Sequence, residues 1–264
     1  MSESEHGNIL DLVELADSLF DRATELEEKN ICKKDKEALK YLEQLKNDSY
    51  LHCIKVWKSV LSFLPQSTIE QSQKKELLQD ANKIISRCYQ KLGEYENAKV
   101  HIARAIDNGY IAGFISLGAI SIKLNDFDGA QSAFKSAISK KIMESRAHAG
   151  LGELYFIMGN AELKKDPDHV KYFKMAEEEF ITAGKDRFTD GFERAIELFD
   201  KIGLKGRALS VGESAVAFYD DHKGTYGEKL KSLDKRLRKL AGDEKHDKIV
   251  NEIGIKIRKI INKK

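Results

Sequence analysis

Two segments of this 264-residue chain, 32 residues apart, carry the same pattern of side chains. The first is LGEYENAKVHIARAI, residues 92–106, and the second is LNDFDGAQSAFKSAI, residues 124–138. Each begins with a short polar turn, continues with an aromatic residue, and places a small residue three positions later. Apolar residues follow at spacings that bring them to one face of an α-helix. A repeat of this length predicts a fold built from repeated helix–turn–helix units.

The pattern extends in both directions from these segments. A Leu-Gly pair at residues 117–118 recurs at residues 151–152, and further units follow to about residue 220 after an insertion at residues 160–172. Upstream, a run of apolar residues has the spacing of a second helix and ends in a helix-breaking proline: Cys53, Trp57, Val60, Leu61 and Pro65.

Over residues 50–220, these segments resemble the tetratricopeptide repeat (TPR), a degenerate 34-residue helix–turn–helix unit. The resemblance implies a right-handed superhelix of paired antiparallel helices, whose concave face binds peptides or helices of other proteins. Stacked units would share one continuous core, because a single pair cannot bury its own apolar face. The last unit departs from the family's pattern at Gly212, where a bulky residue is usual.

The composition agrees with an almost entirely helical protein. Only two prolines are present, whereas an average composition contains about 5% proline, and 41% of the residues are hydrophobic. No apolar run approaches the roughly 18 residues of a membrane-spanning helix, and the acidic start lacks the pattern of a secretory signal. Cys32, Cys53 and Cys88 form no CxxC pair and indicate free thiols in a reducing compartment, so we expect a cytoplasmic protein.

Amphipathic segments lie on both sides of the repeats. Two precede them, at residues 8–30 with Asn8 as the N-cap and at residues 36–64, and two follow, at residues 225–241 and 243–262. We therefore expect three regions. These are an acidic N-terminal helix at residues 1–35, a TPR-like helical-repeat array at residues 36–220, and basic C-terminal capping helices at residues 221–264.

Charge is distributed unevenly along the chain. Residues 1–30 contain nine acidic residues against two basic ones, whereas residues 229–264 contain thirteen Lys and Arg against five acids. The two ends could attract each other or bind partners of opposite charge. The other interpretation is that both segments are ordinary solvated helix faces.

No group of residues has the pattern of a catalytic or cofactor site. None of the seven histidines has metal-ligand spacing, and phosphate-binding loops and nucleophile elbows are absent from the sequence. We expect His101 and His148 to be packing or surface residues, and Glu177, Glu178 and Glu179 to lie on a solvated helix face. Cys53 and Cys88 occupy positions that favour small core residues. The sequence thus predicts no enzyme, no metal and no cofactor.

The resemblance also implies that the first helix of each pair lines the concave face. The aligned positions would change from basic through apolar to acidic along that face, which suits an amphipathic helix or an extended peptide with charged ends. Two interpretations stay open: the face binds a partner, or the protein's own terminal helices cover its apolar residues. The candidate partner-binding residues are Lys83, Arg87, Lys91, Ile115, Ala119, Ile122, Arg146, Glu153, Phe156, Glu193 and Glu197.

Other kinds of partner fit the sequence less well. Chaperone C-terminal carboxylates are bound in the TPR family by a set of Lys, Asn and Arg, but the aligned positions here hold Ile84, Ala112 and Ser116. The basic C-terminal tail contains no aromatic residue for base stacking, so capping the repeat array is its simpler role and nucleic-acid binding is not expected. Amphipathic terminal helices could also pair between two chains as a homo-oligomer.

The sequence therefore predicts an all-α, TPR-like right-handed α-solenoid of antiparallel helix pairs with extra amphipathic helices at both ends. The expected function is that of a non-enzymatic adaptor or scaffold that holds a partner peptide or helix in the concave TPR groove. The alternative is a self-covered regulatory TPR module that a partner or signal opens. Binding of nucleic acid or an anionic surface through the basic tail is a third, less favoured possibility.

Overall fold

A computed structural model describes residues 3–28, 36–162, 169–186, 190–221, 227–240 and 244–262. Within these ranges the chain forms twelve α-helices and no strand, which confirms the all-helical class predicted from the composition. The chain divides into two compact units, Met1–Gly129 and Ala130–Lys264. The division falls inside the region that the sequence assigns to one repeat array.

The first unit contains five complete helices and the start of a sixth. They are α1 (Glu3–Glu28), α2 (Lys36–Phe63), α3 (Gln71–Lys91), α4 (Tyr95–Asp107), α5 (Gly113–Lys123) and the first three residues of α6 (Phe127–Ser139). Consecutive helices pack against each other from α1 to α5. This order of contacts is the one expected when each helix pair stacks on the next pair along the chain.

The second unit contains the rest of α6 and six further helices. They are α7 (Glu144–Glu162), α8 (His169–Gly184), α9 (Gly191–Lys201), α10 (Lys205–Asp221), α11 (Gly227–Arg238) and α12 (Glu244–Asn262). From α7 to α10 each helix packs on the next, and α11 and α12 pack on α10 and on each other. The last two helices therefore cover a face of α10 that would otherwise be exposed.

The turns that follow α3 and α5 have the same backbone structure. After α3, the Glu94 N–H donates to the Tyr89 carbonyl over 2.9 Å, and Gly93 has a positive φ of 78°. After α5, the Asp126 N–H donates to the Ser121 carbonyl over 2.9 Å, and Asn125 has a φ of 57°. This six-to-one bond with a left-handed residue is a Schellman motif. The 32-residue sequence repeat thus corresponds to a repeated helix-ending turn.

Small residues and large rings alternate in the core of the second unit. A Cβ atom added to Gly150 would lie 2.4 Å from the ring of Phe134, and one added to Gly152 would lie 2.8 Å from the ring of Phe180. Gly212, which departs from the family's pattern, provides the space for Leu237 of α11, whose Cδ2 would lie 2.6 Å from such an atom. The Leu237 side chain of the next helix therefore fills the space that a bulky residue at position 212 would occupy.

The core of the first unit contains the residues that the sequence assigns to it. Cys53, Trp57 and Val60 of α2 are fully buried, as is Cys88 of α3, so the prediction of core thiols at Cys53 and Cys88 is confirmed. A hydrogen bond with Cys53, together with burial, raises the pKa of the Cys88 thiol. Cys32 lies outside the described residues.

Two expectations about helix limits change. The first helix begins at Glu3, so Asn8 lies inside it and the prediction that Asn8 is an N-cap is wrong. A cap side chain bonds to the first free N–H groups, and inside a helix those groups already bond to the preceding turn. In the predicted insertion, α7 extends to Glu162 and α8 begins at His169, while residues 163–168 lie outside the described part of the chain.

The approach of α8 to α9 gives a testable prediction for stability. A Cβ atom on Gly191 would lie 2.6 Å from the backbone nitrogen of Gly184 and 2.8 Å from the carbonyl oxygen of Phe180. Because backbone atoms cannot move aside as side chains do, we expect Gly191→Ala to lower the free energy of unfolding by about 1–3 kcal/mol. Urea denaturation of the full chain measures this change.

Gly206 provides a matched control, since it lies in α10 and an added Cβ atom there meets nothing within 4 Å. We expect Gly206→Ala to leave the stability unchanged or to raise it by up to about 1 kcal/mol. Equal effects of the two substitutions would contradict the close approach of α8 and α9.

Candidate partner-binding face

Two of the three predicted basic residues of α3 contact the N-terminal helix. The guanidinium carbon of Arg87 lies 4.7 Å from the ring centre of Phe20 on α1, a cation–π distance. Further along, the Lys91 Nζ donates to the Glu27 carboxylate of α1 over 2.5 Å. Although burial alone would raise the pKa of Glu27, this bond lowers it. The acidic helix α1 thus lies against the basic side of α3.

Lys83, the third basic residue of this row, has two local contacts. Its Nζ forms an ion pair with Asp80 one turn earlier, at 2.5 Å, and lies 5.6 Å from the ring centre of Tyr110. The pKa of Asp17 on α1 is raised by burial and by the nearby Asp21 and Asp80 carboxylates. Acidic side chains of α1 and α3 therefore come close to one another near Lys83, whose positive charge acts on the pKa of Asp17 in the opposite direction.

The apolar residues predicted on α5 remain partly accessible within the first unit. Ala119 is exposed, and Ile115 and Ile122 on either side of it are half-buried. Ile111, just before the helix, is 42% exposed. On a helix, positions 115, 119 and 122 follow one face, so these side chains form a continuous apolar row. We call Ile115, Ala119 and Ile122 the α5 row.

The residues predicted on α7 differ in their surroundings. Arg146 is exposed, and Glu153 accepts a hydrogen bond from Arg194 of α9 over 2.9 Å. Phe156 is buried, with its ring centre 5.8 Å from those of Phe173 and Phe199. This burial corrects the expectation that Phe156 lies on an accessible face. The ring fills the space between three helices of the second unit.

The exposed acidic residues at α9 lie near basic side chains of helix α11. Glu197 lies 3.8 Å from Arg236, and Asp190, at the start of α9, lies 3.5 Å from Lys229. Glu193 is 8% exposed, and its Oε2 atom accepts no hydrogen bond from the described residues. Burial raises the pKa of the Glu193 carboxyl. Glu193, like Phe156, was expected on an accessible face and is instead inside the unit.

Sequence reasoning missed these contacts of α1 and α11, although it contained a signal for them. Each terminal helix contacts a row of opposite charge on a nearby helix, acidic α1 on basic α3 and basic α11 on acidic α9. The uneven charge of the two ends predicts that they attract each other or partners of opposite charge, but it does not identify α3 and α9 as the helices that α1 and α11 contact. Both pairs lie within single units.

His101 belongs to a buried packing network. His101 is buried, stacks on Tyr89 with ring centres 5.7 Å apart, and has Nδ1 2.8 Å from the Asn82 Oδ1 atom. Because the Asn82 amide nitrogen donates to the Leu78 carbonyl, its oxygen must accept, and the proton of His101 therefore resides on Nδ1. Burial, with the nearby charges of Arg104 and Lys58, lowers the pKa of His101 to about 4. The expected packing role of His101 is confirmed.

The carboxylates of α8 are more engaged than expected. Glu177 accepts hydrogen bonds from Arg207 over 2.7 Å and from Ser210 over 2.6 Å. Glu179 lies 2.6 Å from Nδ1 of His148 on α7. Only Glu178 is exposed. The prediction of a solvated face is therefore wrong for Glu177 and Glu179, whose partners are 30 or more residues away in the sequence.

Within the described ranges, no three His, Cys, Asp or Glu side chains come together as a possible metal site. None of the helices in those ranges is both long enough and apolar enough to cross a lipid bilayer. The sequence matches no protein-family model, and its comparison with characterised proteins gives no match.

Acid should destabilise the protein through His101. Its pKa is about 4 in the folded chain and about 6.5 when unfolded, so between these values the unfolded chain binds more protons. The contribution of neutral His101 is complete above about pH 6.5 and decreases as the pH falls towards 4, by at most roughly 3 kcal/mol. Urea denaturation at pH 7 and at pH 5 measures the loss.

The variant His101→Gln should lose less stability on acidification than the unmodified chain, because it has no imidazole to protonate. His52 is exposed and serves as the control, and His52→Gln should leave the pH dependence unchanged. An identical pH dependence for His101→Gln and the unmodified chain would show that His101 does not carry the effect.

Proposed function

We propose that this chain is a non-enzymatic protein-interaction module, an adaptor or scaffold that binds a helix or extended peptide of another protein. Its helix pairs would form a TPR-like right-handed solenoid, with the α5 row on the concave face. The repeated Schellman turns after α3 and α5 and the stacking of consecutive helices support this arrangement. The α5 row is the observation that carries the proposal, since it is apolar and partly accessible.

The contacts of the charged residues predicted on α3 and α9 bear on how a partner would bind. Arg87 and Lys91 contact α1, and Glu197 lies 3.8 Å from Arg236 of α11, so binding of another protein through these exposed residues would compete with contacts inside the chain. Binding through the α5 row involves no such competition. We therefore assign the main recognition to an apolar helix face of the partner, held by Ile115, Ala119 and Ile122.

A test uses the one exposed residue of the α5 row. Ala119→Arg introduces a charged, bulky side chain on the row without removing a buried group, so it should abolish capture of a partner while leaving the fold intact. Affinity capture from native lysate followed by mass spectrometry compares the unmodified chain with this variant. Circular dichroism and thermal unfolding check the fold of each protein.

Val100→Arg is the matched control, because Val100 is 49% exposed on the neighbouring helix α4. We expect this variant to capture the same proteins as the unmodified chain. If Ala119→Arg also captures all of them, the α5 row is not the recognition surface and the proposal fails.

The contacts of α1 favour a second candidate, a self-covered regulatory module. In that case α1 would shield the basic side of α3, and a partner or signal would displace it. Arg87, stacked on Phe20, and Lys91, bonded to Glu27, are the contacts that such a partner would break. The buried residues Ala16 and Ala23 of α1 show that this helix also contributes to the core.

Charge exchange at the Glu27–Lys91 pair distinguishes the two candidates. Glu27→Lys places like charges together, which should loosen α1, accelerate amide hydrogen exchange in it and increase partner capture if α1 shields the site. The double variant Glu27→Lys/Lys91→Glu restores opposite charges and should restore slow exchange and low capture. Faster exchange in Glu27→Lys without a change in capture would reject the self-covered candidate.

A further inference from the structure

The outer side of α1 is an exposed acidic surface. Asp11, Glu14, Asp21 and Glu25 are exposed, and none of them forms an ion pair with another described residue. Two large apolar side chains of the same helix are also exposed, Leu10 at 48% and Leu15 at 47%. Exposed Arg22 is the basic residue among them. We call these exposed acids, with Leu10 and Leu15, the acidic face.

The outer side of α12 is an exposed basic surface of similar form. Lys248, Lys256 and Lys259 are exposed, and Ile255, which is 46% exposed, lies between them on the helix. Exposed Arg258 adds a further positive charge, and exposed Glu252 is the opposing charge on this side of the helix. We call Lys248, Ile255, Lys256 and Lys259 the basic face.

The two faces are complementary in both charge and apolar content. Each combines several charges of one sign with one or two large apolar side chains, which is the composition of a protein contact with a small apolar centre and a charged rim. Two acidic faces would repel each other, as would two basic faces. A contact between unlike faces instead gains from attraction and excludes water from Leu10, Leu15 and Ile255.

We propose that the acidic face of one copy of this chain binds the basic face of a second copy. Charge complementarity identifies the occupant, because every copy carries both faces in equal number. An anionic lipid surface fits less well, since an interfacial helix inserts its apolar side, and in α12 that side, with Val250, Ile253 and Ile257, is buried. A single-stranded nucleic acid would lack stacking partners, because α12 contains no aromatic residue.

The contact joins two different surfaces of the chain. It is independent of the α5 row, so self-association and partner binding can be tested separately. Because the attracting groups are exposed, the association should weaken at high ionic strength, where the Debye length falls to a few ångström. Self-association would place several copies of the recognition surface in one assembly and raise its avidity for a multivalent partner.

Sedimentation velocity of the full chain over a range of concentrations tests the proposal. At low salt, about 0.05 M, we expect the sedimentation coefficient to rise with protein concentration, and at about 0.5 M this rise should disappear. The acidic-face variant Asp11→Lys/Glu14→Lys/Asp21→Lys and the basic-face variant Lys248→Glu/Lys256→Glu/Lys259→Glu should each lose self-association, with at least a tenfold rise in Kd. An equimolar mixture of the two variants should associate again, because each then meets a face of opposite charge.

A control variant changes the net charge by the same amount elsewhere, at three exposed acids outside both faces: Glu76→Lys, Asp107→Lys and Glu213→Lys. This variant should associate like the unmodified chain, and so should Ala119→Arg, which tests only the α5 row. A chain that stays monomeric at low salt overturns the proposal. It is also overturned if both charge-reversed variants still associate, or if their mixture does not.

Discussion

The rest of the fold depends on how the backbone reverses direction at the end of a helix. In the turns after α3 and α5, one residue in the left-handed conformation and a six-to-one hydrogen bond send the chain back within three residues. A longer connection would allow a wide range of angles between one helix and the next. The short turn instead fixes this angle, so that small residues such as Ala98 and Ala130 face their neighbours and become buried. Glycine fills the left-handed position at residue 93 and asparagine at residue 125, the two residue types that tolerate it best.

The sequence predicted the helices and much of the first core, but it could not predict which side chains remain accessible. The hydrophobic period and the turn residues predicted the positions of α3, α4 and α6 to within a few residues, because these signals are local. The burial of Phe156 and Glu193 depends on which distant helices meet at that point. The hydrogen-bond partners of Glu177 and Glu179 have the same origin, since Arg207 and His148 are about thirty residues away along the chain. No local pattern encodes such a pairing.

For the same reason, only part of the candidate surface could be predicted from the sequence. The α5 row follows from the repeat register alone, and its residues are half-buried or exposed. For the charged residues on α3 and α9, the register predicts which of them share a helix face but not which neighbouring helix they contact. A Lys or Glu on a predicted concave face gives the same sequence pattern in two cases. Its ion-pair partner can be a peptide of another protein, or the protein's own helix α1 or α11. The ion pairs join α1 to α3 and α11 to α9 through largely exposed side chains, and the α5 row is the apolar, partly accessible part of the candidate surface.

Burial of Cys53 and Cys88 between α2 and α3 has a consequence for the chemistry of this chain. The thiolate is the form that reacts with oxidants and alkylating reagents, and the raised pKa of Cys88 keeps that thiol protonated. A reagent can therefore reach these sulfur atoms only when α2 and α3 separate. The labelling rate of the two thiols reports how often the first unit opens, so the protein contains its own probe of local unfolding.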